Sequence, residues 1–171
     1  MGGSALEGEL NQRFKDVELH ILGDTDDEEY GQECHQLVAD LGLDNLFFDG
    51  HQDTMAFMRR FDFTVLSSIS EGQPLCVLES LAASRPAVTT DVGSCRELLE
   101  GGADDDLGRC GIVVPPMDRK GFADAMETLC RNARLRRQMG AIGRKRVERY
   151  YQVQTMMASY HRVYDRVMEG R

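Results

Sequence analysis

Apolar positions along the chain change their spacing several times, and each change marks an element. Short runs rich in β-branched residues and leucine read as strands: VELHIL at 17–22, NLFFDG at 45–50, FDFTVLSS at 61–68, PAVTT at 86–90 and CGIVVPP at 110–116. Between them the spacing is helical. After an acidic turn (Asp24, Asp26, Asp27, Glu28, Glu29), YGQECHQLVADLGL puts Cys34, Leu37, Val38 and Leu41 on one stripe and stops at Gly42. Asp53 suits the N-cap of a short helix through Arg59. A helix from about Pro74 to Ser84 follows the third strand, and SCRELLEG follows the fourth. Beyond the fifth strand the pattern is helical throughout: Asp118 caps DRKGFADAMETLCRN, then helices run over 134–150 and 152–168.

Strands alternating with helices predict an α/β fold, an open and mostly parallel sheet flanked by helices on both faces, with extra carboxyl-terminal helices. Ligands of such sheets lie beyond the carboxyl ends of the strands. FDFTVLSSISEGQPL is a place of that kind: a strand end, a turn with glycine and a helix start. Pro74 suits a first helical turn, where its missing N–H would be unbonded anyway. The remaining free amides and the helix dipole favour a phosphate or diphosphate there.

Two carboxylates bracket this helix start. Glu71 stands in the turn, and Glu79 follows after seven intervening residues, inside an otherwise apolar run. An unpaired buried charge costs several kcal/mol (roughly), so Glu79 is expected to meet a specific partner. It lies about 7–8 Å along the helix axis and shares a face with Leu75 and Ala82. One carboxylate on each side of a bound diphosphate describes a nucleotide-sugar site, with Glu79 on the ribose hydroxyls and Glu71 on those of the sugar.

Composition narrows the classes further. The content of 42% hydrophobic and 29% charged residues is that of a folded domain. A net charge of −9 argues against nucleic acid as a partner, which needs a basic footprint. The scattered cysteines (Cys34, Cys76, Cys95, Cys110, Cys130) and histidines form no metal-ligand spacing, so no metal or cofactor is expected, and the thiols predict a reduced, cytoplasmic setting. No run approaches the roughly 20 apolar residues of a membrane span, and MGGSALEGEL lacks the pattern of a signal peptide.

The stretch SEGQPLCVLESLAASRPAVTTDVGSCRELL resembles the E-x7-E region of retaining GT-B glycosyltransferases of glycosyltransferase family 4. Within that family it is most similar to the cytosolic glycosyltransferases of Pel-type bacterial exopolysaccharide synthesis. ILGD after the first strand, DVGSCREL after the fourth, GRCGIVVPP at the fifth and the later RKRVERYY add to the resemblance, which runs from Val17 to the end. It implies a Rossmann-like carboxyl-terminal domain that holds a UDP-sugar, and metal-free transfer of a hexosyl group to a growing exopolysaccharide with retention. Glu71 would be the catalytic-site residue on the donor sugar. Gly72, Gln73, Pro74 and Leu75 would bring backbone groups to the sugar and diphosphate, and Glu79 would hold the ribose.

The resemblance further implies, as partners, an amino-terminal acceptor domain and a membrane polysaccharide synthase complex. The family's donor domain opens with a further strand and helix that carry an Arg and a Lys for the diphosphate. Only residues 1–16 precede Val17 here, and their Arg13 and Lys15 do not match that motif. Residues 1–16 therefore read as a truncated or disordered lead and 17–171 as the nucleotide-sugar-binding domain. The chain looks like a fragment, expected to be inactive alone. Ser84 and Arg85 stand where the family often has glycine.

Plainer readings remain beside these. Glu79 could reach solvent past Ser80 and Ala83, and Glu71 could be an ordinary turn residue. The basic run from Arg131 to Arg149 reads as a solvated helix face, with an interface as the alternative. Cys76 and Cys95 read as small buried hydrophobes, since no histidine or lysine adjoins them in sequence. The same fold could also serve as a non-catalytic nucleotide-binding or partner-docking module.

Overall fold

A computed structural model describes residues 17–170. The lead at 1–16, with Arg13 and Lys15, lies outside the described residues. Elements alternate from β1 (Leu19–Leu22), α1 (Glu28–Asp40), β2 (Leu46–Gly50) and α2 (Thr54–Met58) to β3 (Thr64–Leu66), α3 (Leu75–Ala82) and β4 (Ala87–Thr90). Then come α4 (Cys95–Glu100), β5 (Gly111–Val114), α5 (Arg119–Arg131), α6 (Ala133–Tyr150) and α7 (Val153–Glu169).

Every strand pair is parallel, but the strands fall into two sheets, β1–β2 and β3–β4–β5. Doubly wound sheets run in the order 3-2-1-4-5-6. Here β1 and β2 pair with each other, and β3, β4 and β5 pair in that order, with β4 in the middle. Their free edges leave all three residues of β3 only half-buried, whereas all four of β4 are buried.

The strand alternation places Val88 and Val114 on one face of the larger sheet, under Phe122, Met126 and Leu129 of α5. Ala87 points to the other face, where Val77 and Leu81 of α3 and Leu98 and Leu99 of α4 cover it. Helices on both faces bury Val88 and Val114 and leave Val65, Ile112 and Val113 half-buried. The tail differs: α7 has no buried residue and exposes Val153, Met156, Tyr160, Val163 and Val167 along one side. No helix among the described residues is long and apolar enough to cross a membrane.

Several helix ends differ from the sequence expectation. The acidic turn is shorter, because Asp27 caps α1 by accepting the Tyr30 N–H and Glu28 and Glu29 form its first turn. Carboxylates there complement the helix dipole, which favours helix over turn. Pro74 is the N-cap of α3 rather than part of its first turn, with ψ 114°. At the other end of α3, Ser84 N–H bonds the Leu81 carbonyl and Arg85 N–H the Ser80 carbonyl, both at 2.9 Å. This Schellman closure needs a left-handed residue, and Ser84 supplies it at φ 59°.

The basic run is not a uniformly solvated face. Arg146 is completely buried. It pairs with Asp105, 5% exposed, at 2.5 Å and donates to the carbonyls of Leu98, Leu99 and Gly108. The ion pair ties the acidic loop between α4 and β5 to α6. Each donor of the guanidinium finds an acceptor, which is what lets a charge sit in a core.

Candidate functional site

β3 ends at Leu66, and the chain then turns outward through 67–74 before entering α3. Two contacts, one from the end of β4 and one from the β4–α4 connection, hold this turn. The Thr90 hydroxyl donates to the Ser68 carbonyl at 2.5 Å. The Ser94 N–H donates to the Gly72 carbonyl at 2.9 Å. Gly93, at φ 53°, passes so close that a Cβ there would stand 2.2 Å from the Gly72 carbonyl oxygen and 2.6 Å from that of Glu71. Only glycine fits both the angle and the approach. Gly93 was present in DVGSCREL, yet its role became visible only once β4 was paired beside β3.

The candidate residues assemble around the start of α3. Pro74 is buried, while Gly72, Gln73 and Leu75 are exposed, Leu75 at 68%. Pro74 offers no side-chain cap, so the first amides of α3 are open to an external acceptor. Glu71 and Glu79 are both half-buried. Neither side chain makes a hydrogen bond or ion pair with the described residues. Glu79 thus keeps its carboxylate oxygens free of the described residues. The reason is the register of the helix: Val77, Ser80 and Leu81 form its buried face, which leaves Leu75, Glu79 and Ala82 on the outer side.

Ser80, which the plainer reading placed on a path from Glu79 to solvent, lies on that inner face and is fully buried. Its hydroxyl accepts from the Thr64 hydroxyl at 2.8 Å and donates to the Arg85 carbonyl at 3.0 Å. β3, α3 and the turn into β4 are thereby locked together beneath the candidate site. An isolated serine in an apolar run gave little signal of this, because its partners are 16 and 5 residues away.

Two cysteines report on the electrostatics. Cys76, in the first turn of α3, is exposed rather than buried as expected. Its thiol pKa is nonetheless raised, by partial desolvation first and then by the charges of Glu71 and Glu79. Both carboxylates thus act on one point at the helix start. Cys95 is buried, and its thiol is pushed up by desolvation, with Glu71 and Asp91 adding to the effect. Neither environment generates a thiolate nucleophile.

The arrangement offers open helix amides between two carboxylates that act as acceptors. Amides suit a phosphate oxygen; carboxylates suit the hydroxyls on either side of it.

The sequence profile of the family described as "Glycosyl transferases group 1" matches residues 4–132. Phosphatidyl-myo-inositol mannosyltransferase of Mycobacterium leprae is 32% identical over 141 residues, covering 80% of this chain and 35% of that protein. N-acetyl-alpha-D-glucosaminyl L-malate synthase of Bacillus anthracis is 30% identical over 131 residues, covering 75% of this chain and 33% of its own. The chain thus spans about a third of the length of these relatives.

Among solved structures, sucrose-phosphate synthase of Thermosynechococcus elongatus superposes with a TM-score of 0.85 at 19% identity, over 99% of this chain and 43% of that one. HepE of Anabaena in complex with UDP-glucose gives 0.82 at 19% identity, over 96% and 45%. These likenesses show the GT-B type of Rossmann-like fold. With the profile covering most of its length, the chain belongs to the group 1 glycosyl transferases.

Proposed function

We propose that this chain is the donor-binding domain of a retaining glycosyltransferase that takes a UDP-sugar and transfers its hexosyl group to a growing bacterial exopolysaccharide. The observation that carries this is the pair of unpartnered carboxylates, Glu71 and Glu79, on either side of the uncapped amino terminus of α3. The helix amides hold the diphosphate and stabilise the charge that develops as it leaves. Glu79 accepts hydrogen bonds from the ribose hydroxyls. Glu71 accepts from hydroxyls of the donor sugar, and Gly72, Gln73, Pro74 and Leu75 supply the intervening wall. No residue of the chain is assigned as a general base, and no metal enters the scheme.

The group 1 glycosyl transferase profile supports the reaction class, and a fold neighbour solved with UDP-glucose supports the nucleotide. An acceptor domain, a membrane synthase complex as partner, a cytoplasmic site and membership of glycosyltransferase family 4 near the Pel-type enzymes complete the proposal for the full-length protein.

A partner-docking role is favoured by one separate observation, the exposed apolar side of α7. Calorimetric titration with UDP, UDP-glucose and UDP-N-acetylglucosamine, repeated on Glu79→Ala, tests the first reading. Binding that the substitution weakens about tenfold or more supports it. UDP binding unaffected by Glu79→Ala overturns the site. A full-length protein that binds no nucleotide leaves the docking role.

A further inference from the structure

At the end of the larger sheet opposite Glu71, the segments entering β3 and β4 meet the carboxyl end of α3 and the first turn of α6. A cleft of about 90 Å³ opens there, lined by Asp62, Ser84, Arg85, Ala133, Arg136 and Arg137. Half of these residues are arginines, in a chain with 29 acidic and 20 basic residues. Like charges gathered in one recess repel, and an anion between them relieves the cost.

Two of the arginines are held in place by backbone. Arg85 donates from Nε to the Met58 carbonyl at 3.2 Å and from Nη2 to that of Arg59 at 2.6 Å. Arg136 donates from Nη1 to the carbonyls of Leu129 and Cys130 at 2.5 and 2.8 Å, and its Nη2 lies 3.0 Å from Asp62. These bonds close the ends of α2 and α5, so helix capping explains part of each guanidinium. It leaves further N–H donors on both, fixed in orientation. Capping explains nothing of Arg137, which is exposed and makes no hydrogen bond or ion pair with the described residues. Ser84 adds an exposed hydroxyl, carried at φ 59°.

We propose that this cleft binds a phosphate group. Arg137 supplies the free charge, Arg85 and Arg136 the fixed donors, and Ser84 a further hydrogen-bonding group. The planar forks of arginine match phosphate oxygens. Asp62 opposes the anion and keeps its affinity modest. The phosphate can come from a soluble phosphomonoester or from a monoester lipid headgroup, as in phosphatidic acid, which present the same terminal phosphate. The site stands apart from the donor helix start and does not depend on it.

The test applies two probes to the chain: inorganic phosphate, followed by backbone amide shifts in NMR, and phosphatidic acid vesicles, followed by co-sedimentation against phosphatidylcholine vesicles. Both are repeated on Arg137→Glu, Asp62→Asn and Glu79→Ala; thermal melts of the first two, exposed in the folded chain, confirm that they fold. Phosphate shifting the amides of Ser84, Arg85 and Arg137 is the expected result. Affinity falls about tenfold in Arg137→Glu, rises about threefold in Asp62→Asn and is unchanged in Glu79→Ala. The same pattern with vesicles alone assigns the phosphate to a lipid. Three results overturn the site: binding of neither probe up to about 10 mM phosphate, shifts of the Ser84 and Arg85 amides that survive Arg137→Glu, or the same shifts lost in Glu79→Ala.

Discussion

Gly93 and Gly72 approach so closely that a methyl group on Gly93 would fall 2.2 Å from the Gly72 carbonyl oxygen. The loop after β4 is therefore the back wall of the turn that carries Glu71. Gly93→Ala is expected to push this turn outward, through both the clash and the positive φ. We expect donor affinity to fall about tenfold or more, with a loss of stability of about 1–3 kcal/mol. Calorimetry with UDP-glucose and a urea melt measure the two separately.

The Schellman turn after α3 makes a prediction of opposite sign. Ser84 holds φ 59°, a conformation that glycine adopts without strain. Ser84→Gly is expected to stabilise the chain by about 0.5–1 kcal/mol, since relief of strain outweighs the added freedom of the unfolded chain. A higher urea midpoint with an unchanged slope is the readout.

How much of this was legible beforehand differs from residue to residue. The strands showed as apolar runs, and the caps at Asp53 and Asp118 showed because each acid precedes a helical pattern by one residue. Glu79 stood out because a carboxylate in an apolar run is conspicuous, and Glu71 because it stands beside a glycine in the turn before that run. Arg146 did not: the two residues before it, Arg144 and Lys145, are basic and exposed, and its partner Asp105 lies 41 residues away in a loop. The division into two sheets was equally hidden, because pairing is decided between segments far apart along the chain. The strand runs alone predict a sheet, not which edges remain unfilled.

Arg146 and Asp105 should also set the acid stability. The Arg146 guanidinium, by hydrogen bonding first, holds the Asp105 carboxyl below the usual carboxylate range. The stabilisation is therefore present above the unfolded value of about 3.9 and is lost as pH falls through the lower folded value. Asp105→Asn is expected to flatten that acid limb. Arg146→Met, which leaves Asp105 buried and unpaired, should cost about 3–5 kcal/mol at neutral pH. Urea melts across pH 3 to 7 (roughly) compare the two.

Cys76 offers a local probe of the donor site. Glu71 and Glu79 both raise its thiol pKa, so Glu79→Gln should lower it and speed reaction with a disulfide reagent at neutral pH. UDP-glucose should slow the same reaction in the wild-type chain by covering the helix start. An unchanged rate in both experiments would place the nucleotide elsewhere.

The division of labour between the two carboxylates is the central claim, and comparing UDP with UDP-glucose on Glu71→Gln and Glu79→Gln tests it most directly. The account predicts that Glu79→Gln weakens both ligands alike, because both carry the ribose. Glu71→Gln should weaken UDP-glucose and leave UDP unchanged. Equal loss of UDP in the two variants, or no loss in either, would contradict it.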